Sequence, residues 1–339
     1  MHFLKVVLIF STVAIQAQAT SLELEVSQSS QTKTYEISGS GEFNKPKDAE
    51  VNTYGWSLSA DRSRSDTTNS SGSAITDNTT DLAAGLGVEM PSRFRSGASF
   101  NYSTTPEENL KSSGFTVSAG YTYNFDDQST GPEATKPVMT TGDPSDMQES
   151  REASPSGSEF SPYLAADLNY ESLDYVQTFE AKAPRLSQGP SKPTSGKNAI
   201  NQKFTQITVK LKPYRWVRFK VSYTKYSYSR DVSEFLQFLD SHDLLGKVSS
   251  GFSTALSGFY DNTILVGATL FPSSDWEIAA TRSTSKVISD DSLSTTDKLA
   301  VYWNFAEAWR LGAGASVSKS NTAGSAASTQ SSLSVGYEF

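Results

Sequence analysis

Residues 216–228 read WVRFKVSYTKYSY. In an extended chain successive side chains point to opposite faces, so Val217, Phe219, Val221 and Tyr223 share one side and Arg218, Lys220, Ser222 and Thr224 the other. One such strand fits a soluble sandwich as well as a membrane barrel. The whole set separates the two. Alternation recurs at 53–63, 80–90, 94–104, 114–125, 160–172, 203–212, 262–271, 276–286, 296–305, 309–319 and 328–339. Each stretch runs near the ~9 to 11 residues a tilted strand needs to cross a bilayer, whereas soluble strands more often run ~5 to 6.

Composition agrees. Only 36% of the 339 residues are apolar, too few for a helical membrane protein, while aromatics reach 11% and Ser, Thr and Gly fill much of the remaining pattern. There is no cysteine, which removes disulfides, thiolate metal sites and cysteine nucleophiles. The net charge of -8 argues against a nucleic-acid partner.

Residues 1–19 carry Lys5, an apolar stretch from Val6 to Ile15, and Ala17-Gln18-Ala19. This is the pattern of a secretory signal peptide with an A-x-A cleavage site, so Sec-type export and a mature chain of 20–339 are expected. Its apolar core is shorter than the ~20 residues a spanning helix requires, and no later apolar run reaches that length. An exported chain of this kind enters a membrane only as strands.

Connections give an independent test. Short turns are expected at PSR (91–93), PYR (213–215), PSSD (272–275) and AEA (306–308), with long Ser/Thr/Asn/Asp-rich loops at the other strand ends. Short periplasmic turns and long external loops are the habit of bacterial outer-membrane barrels. With that parity, Trp56, Trp216, Trp276, Trp303 and Trp309 all fall near periplasmic strand ends, as an aromatic girdle does.

The chain ends on SLSVGYEF, with Leu333, Val335, Tyr337 and Phe339 on alternate positions. An unpaired apolar alternation at a terminus would be an aggregation hazard, so a pairing strand is expected. Here the chain resembles the Gram-negative outer-membrane β-barrel superfamily, porin-like members included, whose assembly machinery reads a C-terminal signal with such apolar and terminal aromatic positions. The resemblance implies an outer-membrane location, partners in outer-membrane lipids, and passing contact with periplasmic chaperones and the barrel assembly machinery. No subfamily motif accompanies it.

The expected fold class is all-β, a transmembrane antiparallel up-and-down barrel of fourteen strands. Residues 22–28 and 34–43 supply the first two; in the twelve-strand alternative, residues 20–52 are a periplasmic segment. Gly39 and Gly41 on the lipid side count against the former. Strand 276–286 holds another conflict, because Ile278 and Ala280 facing lipid put Arg282 there too, and a bulge or register shift is expected.

Residues 126–159 form an insertion on the short-turn side with eight acids against Lys136 and Arg151. Its Pro, Gly, Ser and acid content predicts a disordered periplasmic linker, with tethering of a periplasmic partner as the functional alternative. In loop 229–257, SEFLQFLDSHDLL (233–245) spaces Phe235, Leu236, Leu239 and Leu244 as a short helix would. Of the two histidines, His2 lies in the leader and His242 is flanked by Asp240, Ser241 and Asp243. That adjacency does not make a catalytic triad, so no catalytic residues are assigned, and no metal or cofactor is expected.

The densest charge pattern is VKLKPYRWVRFK (209–220). With Val209, Leu211, Val217 and Phe219 facing lipid, Lys210, Lys212, Arg218 and Lys220 line the lumen. Arg95 and Arg310 are expected at similar depth against Glu89, Glu277 and Glu338. Six cations against three acids predict weak anion preference in a channel for small polar solutes. The competing reading is a plugged structural or surface-interaction barrel, in which the acids pair with the cations and the external loops do the binding.

Overall fold

The computed structural model describes residues 19–30, 32–43, 52–68, 74–106, 110–125, 162–181, 194–232, 259–288, 291–305, 308–321 and 327–338. They form β1 (Ala19–Ser29), β2 (Thr32–Glu42), β3 (Thr53–Thr68), β4 (Ala74–Glu89), β5 (Phe94–Thr105), β6 (Leu110–Asn124) and β7 (Tyr163–Ala181). They continue as β8 (Thr194–Tyr214), β9 (Val217–Tyr228), β10 (Tyr260–Ser273), β11 (Trp276–Val287), β12 (Leu293–Phe305), β13 (Trp309–Ser320) and β14 (Ser328–Glu338). Each strand pairs with the next in sequence and β14 returns to β1, closing the barrel. Fourteen strands, not twelve, are present.

Closure explains the apolar ending. In the antiparallel β1–β14 ladder Leu22 stands opposite Tyr337, Leu24 opposite Val335 and Val26 opposite Leu333, so no edge remains. Phe339 lies outside the described residues, as do the expected linker 126–159, the helix at 233–245 with His242, and nearly all of the leader. No helix among the described residues is long and apolar enough to cross a membrane, which leaves crossing by strands untouched.

The face assignment is inverted relative to a soluble protein. Leu333 is 67% exposed and Leu86 60%, while Thr224 and Thr79 inside are 1% and 2% exposed. Cross-strand partners share a face, so one register carries the pattern around the ring: Trp276, Trp303, Leu311 and Val335 lie outward on one continuous rung. Inside, rung neighbours bond hydroxyl to hydroxyl, as in Thr79–Thr105 at 2.9 Å, Thr208–Ser222 at 2.8 Å and Thr263–Ser285 at 2.8 Å. Each such bond contributes about 1 kcal/mol net.

The five tryptophans gather at the short-turn end. Stacking runs outward along the rim from Trp276 to Trp303 (5.9 Å), Phe305 (4.9 Å) and Trp309 (6.5 Å), and Trp309 meets Tyr337 edge-on at 4.8 Å. Trp216 stacks on Tyr214 at 5.9 Å. Trp56 is opposite Gly41 and only 6% exposed. That pairing resolves the objection to β2: large residues across the β2–β3 ladder, Trp56 beside Gly41 and Leu58 beside Gly39, face the bare glycines.

Two expectations are corrected. The turn placed at 213–215 sits at Arg215 and Trp216, closed by Tyr214 opposite Val217. More instructively, β11 pairs with β12 without any register shift, and the shifts in its pairing with β10 fall at the two ends, between Tyr260 and Asn262 and between Leu270 and Ser273, so none turns Arg282 inward. Arg282 stays outward and takes Asp297, its rung partner, in a two-pronged ion pair with Nε–Oδ1 at 2.6 Å and Nη2–Oδ2 at 2.9 Å. On a lipid-facing wall an unpaired charge is costly, so Asp297→Asn is expected to lower the denaturant midpoint of the folded barrel. Replacing both residues with Ala should recover most of the loss, a result that equilibrium unfolding in lipid vesicles checks.

Candidate functional site: the charged lining of the lumen

Register and alternation together give the inward positions. They turn Lys210, Lys212, Arg218 and Lys220 to the inner face near the short-turn end of β8 and β9. Lys210 stands directly opposite Lys220, a like-charge rung that is unfavourable in isolation. The neighbouring cations rest on aromatic faces. Lys212 Nζ lies 5.0 Å from the centre of the Phe271 ring and 5.9 Å from that of Tyr163, and the Arg218 guanidinium is 5.5 Å from Phe271. Attraction to the ring quadrupole offsets part of the mutual repulsion. Arg218 also donates a long 3.5 Å hydrogen bond to Thr269 and is 5% exposed.

Arg95 and Arg310 are differently placed. Arg310 Nη2 donates to Glu277 Oε2 at 3.1 Å, each side chain only 8% exposed, and its guanidinium lies 3.8 Å from the centre of Tyr302. The absence of a side chain at Gly312 makes room for this arrangement: a Cβ there would come within 2.8 Å of the Tyr302 ring. Arg95 donates to Asp167 at 2.9 Å, across the intervening β6. Asp167 was not among the sequence candidates; Gly120, lying between the two on the shared rung, leaves the gap they bridge. Glu89 is the rung neighbour of Arg95, and Glu338 faces inward opposite Ser21. Both of these arginines are thus answered by carboxylates.

A second group of inward residues went unread in the sequence. Glu25, Glu36, Asp61 and Asp81 occupy one continuous rung across β1, β2, β3 and β4, each the register partner of the next. Asp61 and Asp81 are direct register partners on this rung, and Asp81 in turn stands opposite Ser103. Glu23 and Asp77 face inward on the same strands, with Glu42 and Glu89 at their short-turn ends. Among the described strand positions this wall carries no inward Lys or Arg.

In a ring of fourteen strands β8 and β9 stand opposite β1 and β2. The lumen is therefore acidic on one wall and basic on the other. Including Asp167, Glu171, Glu277 and Glu338, twelve inward acids face seven inward bases, Lys298 being the seventh. The six-to-three balance expected from the sequence concerned the short-turn end, whereas over the described strands as a whole inward acids outnumber inward bases. Several polar contacts of the interior join neighbouring strands: Thr116 donates to Glu171 at 2.7 Å, and Asn169 to Gln206 at 3.0 Å, itself a donor to Thr224 at 3.1 Å. These side chains lie along the wall.

No protein-family model and no curated protein matches the chain. Similar solved structures include the CymD monoaromatic hydrocarbon channel, at TM-score 0.46 and 8% identity over 96% of this chain and 90% of that one. The Pseudomonas putida toluene transporter TodX gives 0.46 and 9%, over 94% and 88%. The KdgM porin gives 0.39 and 8%, over 94% and 99%. What this chain's own geometry establishes is a closed fourteen-strand antiparallel barrel, apolar outside and polar inside.

Proposed function

We propose that this barrel is an outer-membrane channel for passive passage of small polar solutes, exported through the Sec route and oriented with its short turns in the periplasm. The observation that carries this reading is the lining itself. Fourteen strands enclose a lumen wide enough for water unless side chains fill it, and here the hydrogen-bonded interior side chains lie against the wall. No chemistry at a bound group is part of the proposal. Outer-membrane lipids outside, and the assembly machinery and chaperones before insertion, are the partners it entails.

On selectivity the proposal departs from the weak anion preference read in the sequence. The basic segment remains, but its opposite wall is acidic and inward acids outnumber inward bases, which supports mild cation preference with a lateral field between the walls. Reconstitution of the purified barrel in a planar bilayer with a KCl gradient tests this. Discrete current steps with a reversal potential on the cation side are expected. A seal without steps would favour the plugged structural barrel, and steps on the anion side would return selectivity to the β8–β9 cations.

A further inference from the structure

Part of the outward-facing charge on the described strands is answered by ion pairs. Lys225 pairs with Asp261 (2.5 Å), Arg282 with Asp297 (2.6 Å) and Lys286 with Asp291 (2.7 Å). The cluster on β2 and β3 differs. Lys33 and Arg64 are direct register partners, and Arg62 shares their face one step nearer the apolar band, opposite Tyr35. Arg64 reaches Asp66 at 3.3 Å, but Asp66 also accepts a 2.6 Å hydrogen bond from Thr76. Lys33 rests 5.1 Å from the Tyr35 ring centre. Among the described residues neither Lys33 nor Arg62 has a carboxylate partner.

Three cations on two adjacent strands, two of them directly opposed, are destabilising unless an anion sits between them. The same face continues into β4, where Thr80 and Asn78 stand opposite Arg62 and Arg64. Immediately toward the short-turn end the surface turns apolar, with Val26 beside Tyr35 and Leu24 beside Ile37 across β1–β2, and Leu82 beside Ala60. Val26, Leu24 and Leu82 are 41%, 44% and 42% exposed. An anion that fits must therefore carry hydrocarbon below a charged head. Arg is the side chain best matched to phosphate oxygens.

We infer that Lys33, Arg62 and Arg64 form a docking site for the phosphate of an anionic membrane lipid, whose acyl chains lie on the exposed Leu24–Val26–Leu82 surface. The site rests on the reading of the barrel as membrane-spanning. It is independent of whether the lumen conducts, so its failure and that of the channel are read separately.

The test uses the full folded chain in detergent micelles, with a bisphosphorylated glycolipid of the lipid A type, the same lipid after phosphatase treatment, and inorganic phosphate. Bound lipid is counted by native mass spectrometry. The phosphorylated lipid should bind; the K33Q/R62Q/R64Q variant should bind about tenfold more weakly, as expected for loss of charge-assisted contacts. Inorganic phosphate should neither bind measurably nor compete at equal concentration. Should the triple variant not fold, Arg62→Gln alone is used, with weaker binding expected. Equal binding by the folded variant, equal binding of the dephosphorylated lipid, or full competition by inorganic phosphate would each overturn the proposal.

Discussion

Replacing Glu25, Glu36, Asp61 and Asp81 together by Gln or Asn is expected to move the reversal potential of the reconstituted pore toward the anion side, close to zero, because eight inward acids then remain against seven inward bases. The four lie on one rung of adjacent strands, so their fields add at one section of the lumen. Their removal takes the inward acids of the described strands from twelve to eight and strips the rung on the wall across from Lys210 and Lys220. The converse quadruple, Lys210, Lys212, Arg218 and Lys220 to Gln, should deepen cation preference. Gln and Asn keep hydrogen bonding, so neither set should abolish folding, which heat-modifiability on gels checks. Opposite shifts from the two variants are the signature of two walls acting on one path. Unchanged reversal potentials in both would mean that ions do not pass between them.

The second large effect is on folding. Gly114→Ala is expected to destabilise the barrel by about 1 to 3 kcal/mol, the usual range for forcing a methyl into filled space. Gly114 lies inward on β6 between Asn101 and Leu173 on the neighbouring strands. A Cβ there would collide with the Ser172 carbonyl oxygen, and would lie 2.6 Å from Leu173 Cδ2 and 2.8 Å from Leu173 Cα. Two of those atoms are backbone, so no rotamer change relieves the clash and β6 and β7 must part locally. Gly336→Ala is the control, since a Cβ there meets nothing nearer than 3.7 Å. A lower urea midpoint for the first substitution and little change for the second are expected in equilibrium unfolding.

Strand number and facing were legible because a lipid-facing strand must alternate, and alternation needs no partner to be seen. Even β1 and β2, with their acids and glycines, followed the parity of the rest. Strand length was not legible beyond the membrane. β7 and β8 run for 19 and 21 residues, longer than the stretches 160–172 and 203–212, because away from lipid both faces are wet and polar residues carry no apolar signal. Placement of Lys210, Lys212, Arg218 and Lys220 needed only the turn between their strands. Pairing needed the register between strands, across β6 for Arg95 and Asp167 and between β11 and β12 for Arg282 and Asp297, which is why Asp167 was missed and why Arg282 seemed to demand a bulge. The acidic rung was missed for the same reason: Glu25, Glu36, Asp61 and Asp81 are scattered over 57 positions and meet only once four strands are aligned.

Single-channel recording of the wild-type barrel tests the central claim most directly, because conduction needs an open lumen and selectivity needs the charges where the register puts them. Discrete, ohmic current steps with mild cation preference in a KCl gradient are predicted. A correctly folded, heat-modifiable barrel that inserts into the bilayer and passes no current would contradict the channel.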